Sequence, residues 1–217
     1  MLLLLLWLSL LCLISTGVQS NSIHGGTYLA MAGKNSVIIA SDSRFSSQNS
    51  FLLGKHPRCV FRIGSKVIVG CFGLDSDTRI LIRKLRESLA GHTESDLEPE
   101  HIARLVSNIL YASDVILSPI VVGIRSNGEP YICSMDGLGA QTETSNFAVT
   151  GTANAGLYAL CESLYSPHLS ATELITTAER CFKLALQRDV MSGCDVRIFT
   201  LVDGGTIHMK DISFDDI

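Results

Sequence analysis

Short apolar runs alternate along the chain with segments whose apolar residues recur every three or four positions, and each pattern comes in pairs. Residues 27–31 and 37–41 are apolar runs parted by Gly33-Lys34-Asn35, which supplies turn chemistry, so they predict a β-hairpin. A polar loop is expected over 46–50, and residues 59–63 and 66–72 form a second strand pair. From Asp75 the period changes. Asp75 and Asp77 place acceptors and negative charge at a helix start, and Leu81, Leu85 and Leu89 follow at spacing four with Ile82 beside them. After the break at Gly91-His92-Thr93, Pro99 opens a second stripe of Ile102, Leu105, Val106, Ile109 and Leu110.

The same alternation then repeats. Residues 120–124 and 131–135 are strands joined across Ser126-Asn127-Gly128, and 147–149 is a further short strand. Residues 155–165 predict a helix, and beyond Pro167 the pair Ser170 and Glu173 reads as a capping box before Leu174, Ala178, Cys181, Phe182 and Ala185. Residues 196–202, the turn at 203–205 and residues 207–209 close the chain as a last strand pair. Strand pairs alternating with helix pairs argue against a doubly wound parallel sheet. Each helix has one apolar face, so the economical packing is two sheets face to face with helix pairs outside: an α+β fold, a four-layer α/β/β/α sandwich.

Composition narrows this picture. Residues 1–20 are almost wholly apolar, with no Lys or Arg ahead of the run, and read either as a secretory leader or as an upstream extension foreign to the functional chain. Residues 21–217 then form one sandwich domain. A net charge of −4 without a basic stripe excludes nucleic acid as a partner, and no membrane association is expected of the domain. Beyond Cys12, the cysteines at 59, 71, 133, 161, 181 and 194 lie far apart in apolar stretches, never in CxxC or beside paired histidines. They read as buried free thiols, and neither a metal site nor any cofactor is expected.

Five stretches carry a resemblance: residues 25–31 (GGTYLAM), 39–44 (IASDSR), 69–73 (VGCFG), 131–136 (YICSMD) and 188–193 (RDVMSG). With the element order, they resemble the N-terminal-nucleophile hydrolases and, within these, the proteasome β subunits, over the whole chain after residue 24. The resemblance implies the sandwich fold. In active members it implies a terminal Thr whose hydroxyl attacks the peptide carbonyl while its own α-amino group, with a pKa near 8, takes the proton. A Lys lowers that amine's pKa, and an Asp orients the Lys.

The match runs without gaps from Leu29-Ala30-Met31 and Asp42 back to Gly26, which stands at the nucleophile position and has no hydroxyl. Thr27 is one residue further on, where strand alternation turns it away from the side that Gly26 occupies, and it reads as an ordinary strand threonine. At the Lys position stands Arg58 or Cys59; a guanidinium does not shuttle protons and a thiol brings no fixed positive charge. Asp42, Asp189 and Ser192 match the family's supporting positions, and Thr152 stands where active members usually have Ser. His24 reads as a surface residue, and Ser192, outside any GxSxG, as a loop residue.

Among non-catalytic β subunits, residues 157–167 resemble one type, whereas Gly25-Gly26-Thr27 and Pro57-Arg58-Cys59 lean toward another. The resemblance implies a non-catalytic ring-building subunit, with neighbouring β subunits, α-ring subunits and the opposite β ring as partners, in cytoplasm and nucleus. Two alternatives stay open: a threonine peptidase subunit using Thr27, and a secreted sandwich-fold binding domain. No Asn-x-Ser/Thr acceptor in the body of the chain speaks for the last.

Overall fold

A computed structural model describes residues 23–47, 52–55, 60–94, 97–189, 192–193, 195–202 and 204–213. The leader, Arg58, Cys59 and Cys194 lie outside the described residues. The strands β1 (Ile23–Gly25), β2 (Thr27–Gly33), β3 (Ser36–Asp42), β4 (Arg44–Ser47), β5 (Leu52–Lys55), β6 (Val60–Ile63) and β7 (Val67–Gly73) precede a first helix pair, α1 (Asp75–Ser88) and α2 (Pro99–Tyr111). Then come β8 (Leu117–Ile124), β9 (Pro130–Met135), β10 (Gln141–Thr144) and β11 (Phe147–Gly151), a second helix pair α3 (Asn154–Leu164) and α4 (Ala171–Leu186), and the closing strands β12 (Val196–Val202) and β13 (Ile207–Ile212).

Two five-stranded sheets result, ordered β10-β9-β8-β7-β6 and β11-β2-β3-β12-β13, every pair antiparallel, beside a small β1-β4-β5 sheet. Alternation of side chains along each strand sorts the apolar residues into three layers. Tyr28, Ala30, Ile39, Ile68, Ile120, Val122 and Ile132 meet between the sheets. Leu29, Met31, Ile38 and Ala40, from the other faces of β2 and β3, pack against Leu157, Leu174 and Phe182 of α3 and α4. Val67, Val69, Cys71 and Val121 pack against Leu81, Leu85, Ile102 and Val106 of α1 and α2. This is the expected four-layer sandwich. It also explains why 27–31 and 37–41 show no polar alternation: both faces of β2 and β3 are covered.

The capping box is present, with Glu173 N–H donating to Ser170 Oγ at 3.4 Å and Ser170 N–H donating to Glu173 Oε2 at 2.8 Å. Three details differ from the sequence reading. β4 covers Ser46 and Ser47, which were expected in a loop, because pairing with β1 and β5 supplies partners that no apolar run announces. β10, with sequence QTET, is an exposed polar edge strand fixed by its ladder to β9 rather than by any apolar face. The start of α1 and the negative charge of Asp75 and Asp77 in its first turn are as read, but neither caps it: the N-cap is Leu74, without a side-chain bond, and Asp77 Oδ2 accepts the amide of Ile116 at 3.0 Å. The cysteines at 71, 133, 161 and 181 are buried and outside any disulfide.

The layer between the sheets is tightest at Gly70 of β7, where a Cβ would lie 2.7 Å from Ile39 Cδ1 and 3.2 Å from Tyr28 Cδ1. Gly70→Ala should therefore lower stability by about 1–3 kcal/mol, the usual cost of over-filling a packed core. A shift of the denaturant midpoint at unchanged slope reads this out; an unshifted midpoint would mean that the layer has slack there.

Candidate functional site

The matched positions converge where β2 begins, because four elements end or turn there. Thr27 is the first residue of β2, Cα-paired with Gly151 at the end of β11. Asp42 is the last residue of β3, Thr152 leads from β11 into α3, and Asp189, Ser192 and Gly193 lie in the connection from α4 to β12. Two glycines permit the approach. At Gly151, with φ +116°, a Cβ would lie 2.5 Å from the carbonyl oxygen of Gly26 and 2.6 Å from Thr27 Cα. At Gly26, with φ +20°, it would overlap Asp42 Oδ1 at 1.6 Å.

Asp42 is a buried clamp. Its Oδ1 accepts the Thr27 amide at 2.6 Å and its Oδ2 the Gly193 amide at 2.8 Å, tying the head of β2 to the loop before β12. Burial disfavours the charged carboxylate and pushes its pKa up to about 7, against the pull of the amides of Thr27 and Gly193; the charge of Asp189 adds to the rise, and the amide of Arg44 opposes it.

Thr27 is fully buried at 0% exposure, on the same side of β2 as Leu29 and Met31, facing α3 and α4. Its Oγ1 accepts the amide of Ala153 at 3.0 Å and meets Ser192 Oγ at 2.6 Å. Ser192 Oγ meets Thr152 Oγ1 at 2.5 Å, and Thr152 donates to Asp189 Oδ2 at 2.8 Å. Each hydroxyl has one hydrogen, so the direction is fixed: Thr152 gives its hydrogen to Asp189, Ser192 to Thr152, and Thr27 to Ser192. The sequence-predicted residues Asp42, Thr152, Asp189 and Ser192 thus come together, but around Thr27 rather than around Gly26. Gly26 faces Asp42 alone among them.

Thr27 is the hub that strand alternation undervalued. A signal was available: it shares parity with Leu29 and Met31, and that face is covered by a helix start carrying Thr152. The backbone donors of Ala153 and Gly193 have no side-chain signature at all. Arg58 and Cys59, the candidates at the Lys position, lie outside the described residues, as does the side chain of His24. Among the described residues no helix is long and apolar enough to cross a membrane.

A sandwich whose supporting carboxylates and hydroxyls gather at the head of one strand defines a class, and residues 23–201 match the family model for proteasome subunits: the chain belongs to that family. Within it, the chain is similar to proteasome subunit beta type-3 of Oryza sativa, at 36% identity over 176 residues that cover 78% of this chain and 86% of the relative. The probable beta type-3 subunit of Schizosaccharomyces pombe is 36% identical over 185 residues (82% and 90%), and that of Dictyostelium discoideum 35% over 194 residues (86% and 94%). All three of these relatives are of the beta-3 type; the other type toward which Gly25-Gly26-Thr27 and Pro57-Arg58-Cys59 are read is beta-6.

Proposed function

We propose that the chain is a non-catalytic β subunit of the 20S proteasome core, of the beta-3 kind, which builds the ring in which other subunits cleave proteins. The carrying observation is Gly26, a residue without a hydroxyl at the family's nucleophile position, packed onto the carboxyl of Asp42 so closely that no side chain fits. Thr27 does not replace it. Its hydroxyl is enclosed by Ser192, Thr152 and the amide of Ala153, at 0% exposure, where no peptide carbonyl reaches it. Its backbone N–H is held on Asp42 Oδ1 at 2.6 Å. Asp42, Thr152, Asp189 and Ser192 serve here as hydrogen-bonding parts of the fold.

On this reading the partners are the β subunits on either side, α-ring subunits beneath and the opposite β ring, in cytoplasm and nucleus, and the contribution to breakdown of ubiquitinated proteins is geometric. One observation favours a second reading, in which Thr27 is the nucleophile: the hydroxyl chain from Thr27 through Ser192 and Thr152 ends on the carboxylate of Asp189. Intact-mass measurement after treatment of assembled particles with a threonine-directed electrophile separates the two. The expected result is no adduct on this chain and no mature form beginning at Thr27. A labelled chain that begins at Thr27 would establish the peptidase instead. Co-sedimentation with the 20S particle tests membership; a chain that never enters the particle refutes it.

A further inference from the structure

Among the described cysteines, Cys71 and Cys133 lie in the layer under α1 and α2, whereas Cys161 and Cys181 lie together in the layer under α3 and α4. The latter two are at 0% exposure and come from adjacent helices. Cys161 is buried on α3 beside Leu157, and Cys181 belongs to the buried stripe of Leu174, Ala178 and Phe182 on α4. Their thiols meet in a hydrogen bond, so the sulfurs are neighbours, yet neither is in a disulfide. A buried thiol packed only on hydrocarbon is inert, but two thiols packed on each other have a reaction open to them.

The pair is unequal. The hydrogen bond from Cys161 favours the thiolate at Cys181, which burial opposes and the charge of Arg180 supports; the same bond, with burial, raises the thiol of Cys161. The hydrogen therefore stays on Cys161, and Cys181 is the better nucleophile. Neither sulfur meets solvent in the closed fold, so an oxidant enters only when a helix moves.

Of the two helices, α3 is held by less. It buries two side chains to the six of α4, its N-cap Ala153 makes no side-chain bond where α4 has its capping box, and Gly156 stands in its first turn with open space around it. Few buried side chains and a helical glycine put α3 at the low-stability end of the fold. Its opening reaches the head of β2, because Thr152 and Ala153, which lead into α3, hold the hydroxyl of Thr27.

We propose that Cys161 and Cys181 form a redox latch: hydrogen peroxide, admitted when α3 opens, joins the two sulfurs in a disulfide that ties α3 to α4. The Cys181 sulfur gives up its proton and attacks one peroxide oxygen; the O–O bond breaks, and the departing hydroxide leaves as water with that proton. Cys181 is then a sulfenic acid. The Cys161 sulfur gives up its proton and attacks the Cys181 sulfur, the S–O bond breaks, and the second hydroxide leaves as water. Two thiols are oxidised to one disulfide, and the peroxide is reduced to two waters. The latch stands or falls independently of the ring-subunit reading.

The test treats the full chain, with whatever subunits copurify, with hydrogen peroxide and maps its peptides without reduction. The expected product is lighter by two hydrogens, with α3 and α4 peptides joined through Cys161 and Cys181 and with Cys71 and Cys133 still thiols. Amide exchange along α3 should slow by about tenfold or more in the joined chain, since the tie removes the open state. In Cys161→Ala the resolving thiol is gone, so Cys181 should stop at the sulfenic acid, which dimedone labels. Gly156→Ala, which strengthens α3 without touching either sulfur, should slow the joining about two- to fivefold, the advantage of Ala over Gly within a helix. The map of the unaltered chain needs no variant to fold. Thiols that stay reduced in the folded chain at peroxide levels that oxidise the unfolded chain, or a disulfide from Cys161 or Cys181 to any other cysteine, would overturn the latch. Equal joining rates with and without Gly156→Ala would overturn α3 as the way in.

Discussion

Gly26→Thr is expected to yield a less stable protein that still takes no threonine-directed label. On the proposed reading, a Thr at residue 26 looks like a one-residue repair of the nucleophile, but the carboxyl of Asp42 fills that position from the other side. A Cβ at residue 26 would sit 1.6 Å from Asp42 Oδ1 and 2.6 Å from its Cγ, on a backbone with φ +20°. Asp42 cannot simply swing aside, because its two oxygens hold the amides of Thr27 and Gly193. Leaving either amide unpaired in a buried site costs about 1–3 kcal/mol, and the backbone strain adds to it, so a loss of roughly 3 kcal/mol or more is expected. Denaturant unfolding checks the magnitude. The cause is checked by coupling: in Gly26→Ala with Asp42→Gly, which removes the overlapping carboxyl, the two losses should fall short of additivity by about 0.5–3 kcal/mol. Full additivity would mean that the overlap is not what excludes a side chain, and labelling of the Gly26→Thr chain would show a latent peptidase.

The second large effect is a stability difference that changes with pH through Asp42. Its carboxyl, with a pKa of 3.8 when unperturbed, rises to about 7 in the folded chain because burial penalises the charge. The folded state therefore binds more protons than the unfolded state between those values. The resulting stabilisation is fully present below the unfolded pKa, shrinks as pH rises through the window, and is gone above about pH 7. A shift of this size corresponds to roughly 4 kcal/mol across the window, at 1.36 kcal/mol per unit. Asp42→Asn, uncharged throughout, should show no such component. At low pH it should be the less stable protein, since its amide group offers one acceptor to the two backbone donors; toward pH 8 its deficit should close or reverse. The quantity to measure is the difference in unfolding free energy between parent and variant at several pH values, which cancels the other titrating groups. A difference independent of pH would mean that folding leaves the Asp42 carboxyl at its ordinary pKa.

Much of the architecture was legible in the chain because it is written in apolar spacing. The stripe at Leu81, Leu85 and Leu89, the box at Ser170 and Glu173, and the paired runs at 27–31 and 37–41 each state a local preference that the surrounding fold only ratifies. β4 and β10 were not legible. Ser46 and Ser47, and the QTET of β10, carry no apolar alternation, and their strand conformation comes from ladders to β1, β5 and β9, partners distant in sequence or unannounced by pattern.

The site divides along the same line. The resemblance to the proteasome β subunits set Gly26 at the nucleophile position as an expectation, with Thr27 one residue further on and Asp42, Thr152, Asp189 and Ser192 as companions, since matching positions along a chain needs no coordinates. Their grouping around Thr27, the direction of the hydroxyl chain and the burial that raises the Asp42 carboxyl belong to the tertiary structure. Hydrogen-bond geometry and desolvation depend on which atoms of β2, β3, β11 and the loop before β12 lie within about 3 Å of one another. Residues 27, 42, 152 and 192 are set at those distances only when β2, β3 and β11 are paired in their sheet and Ser192 and Gly193 are brought to the head of β2.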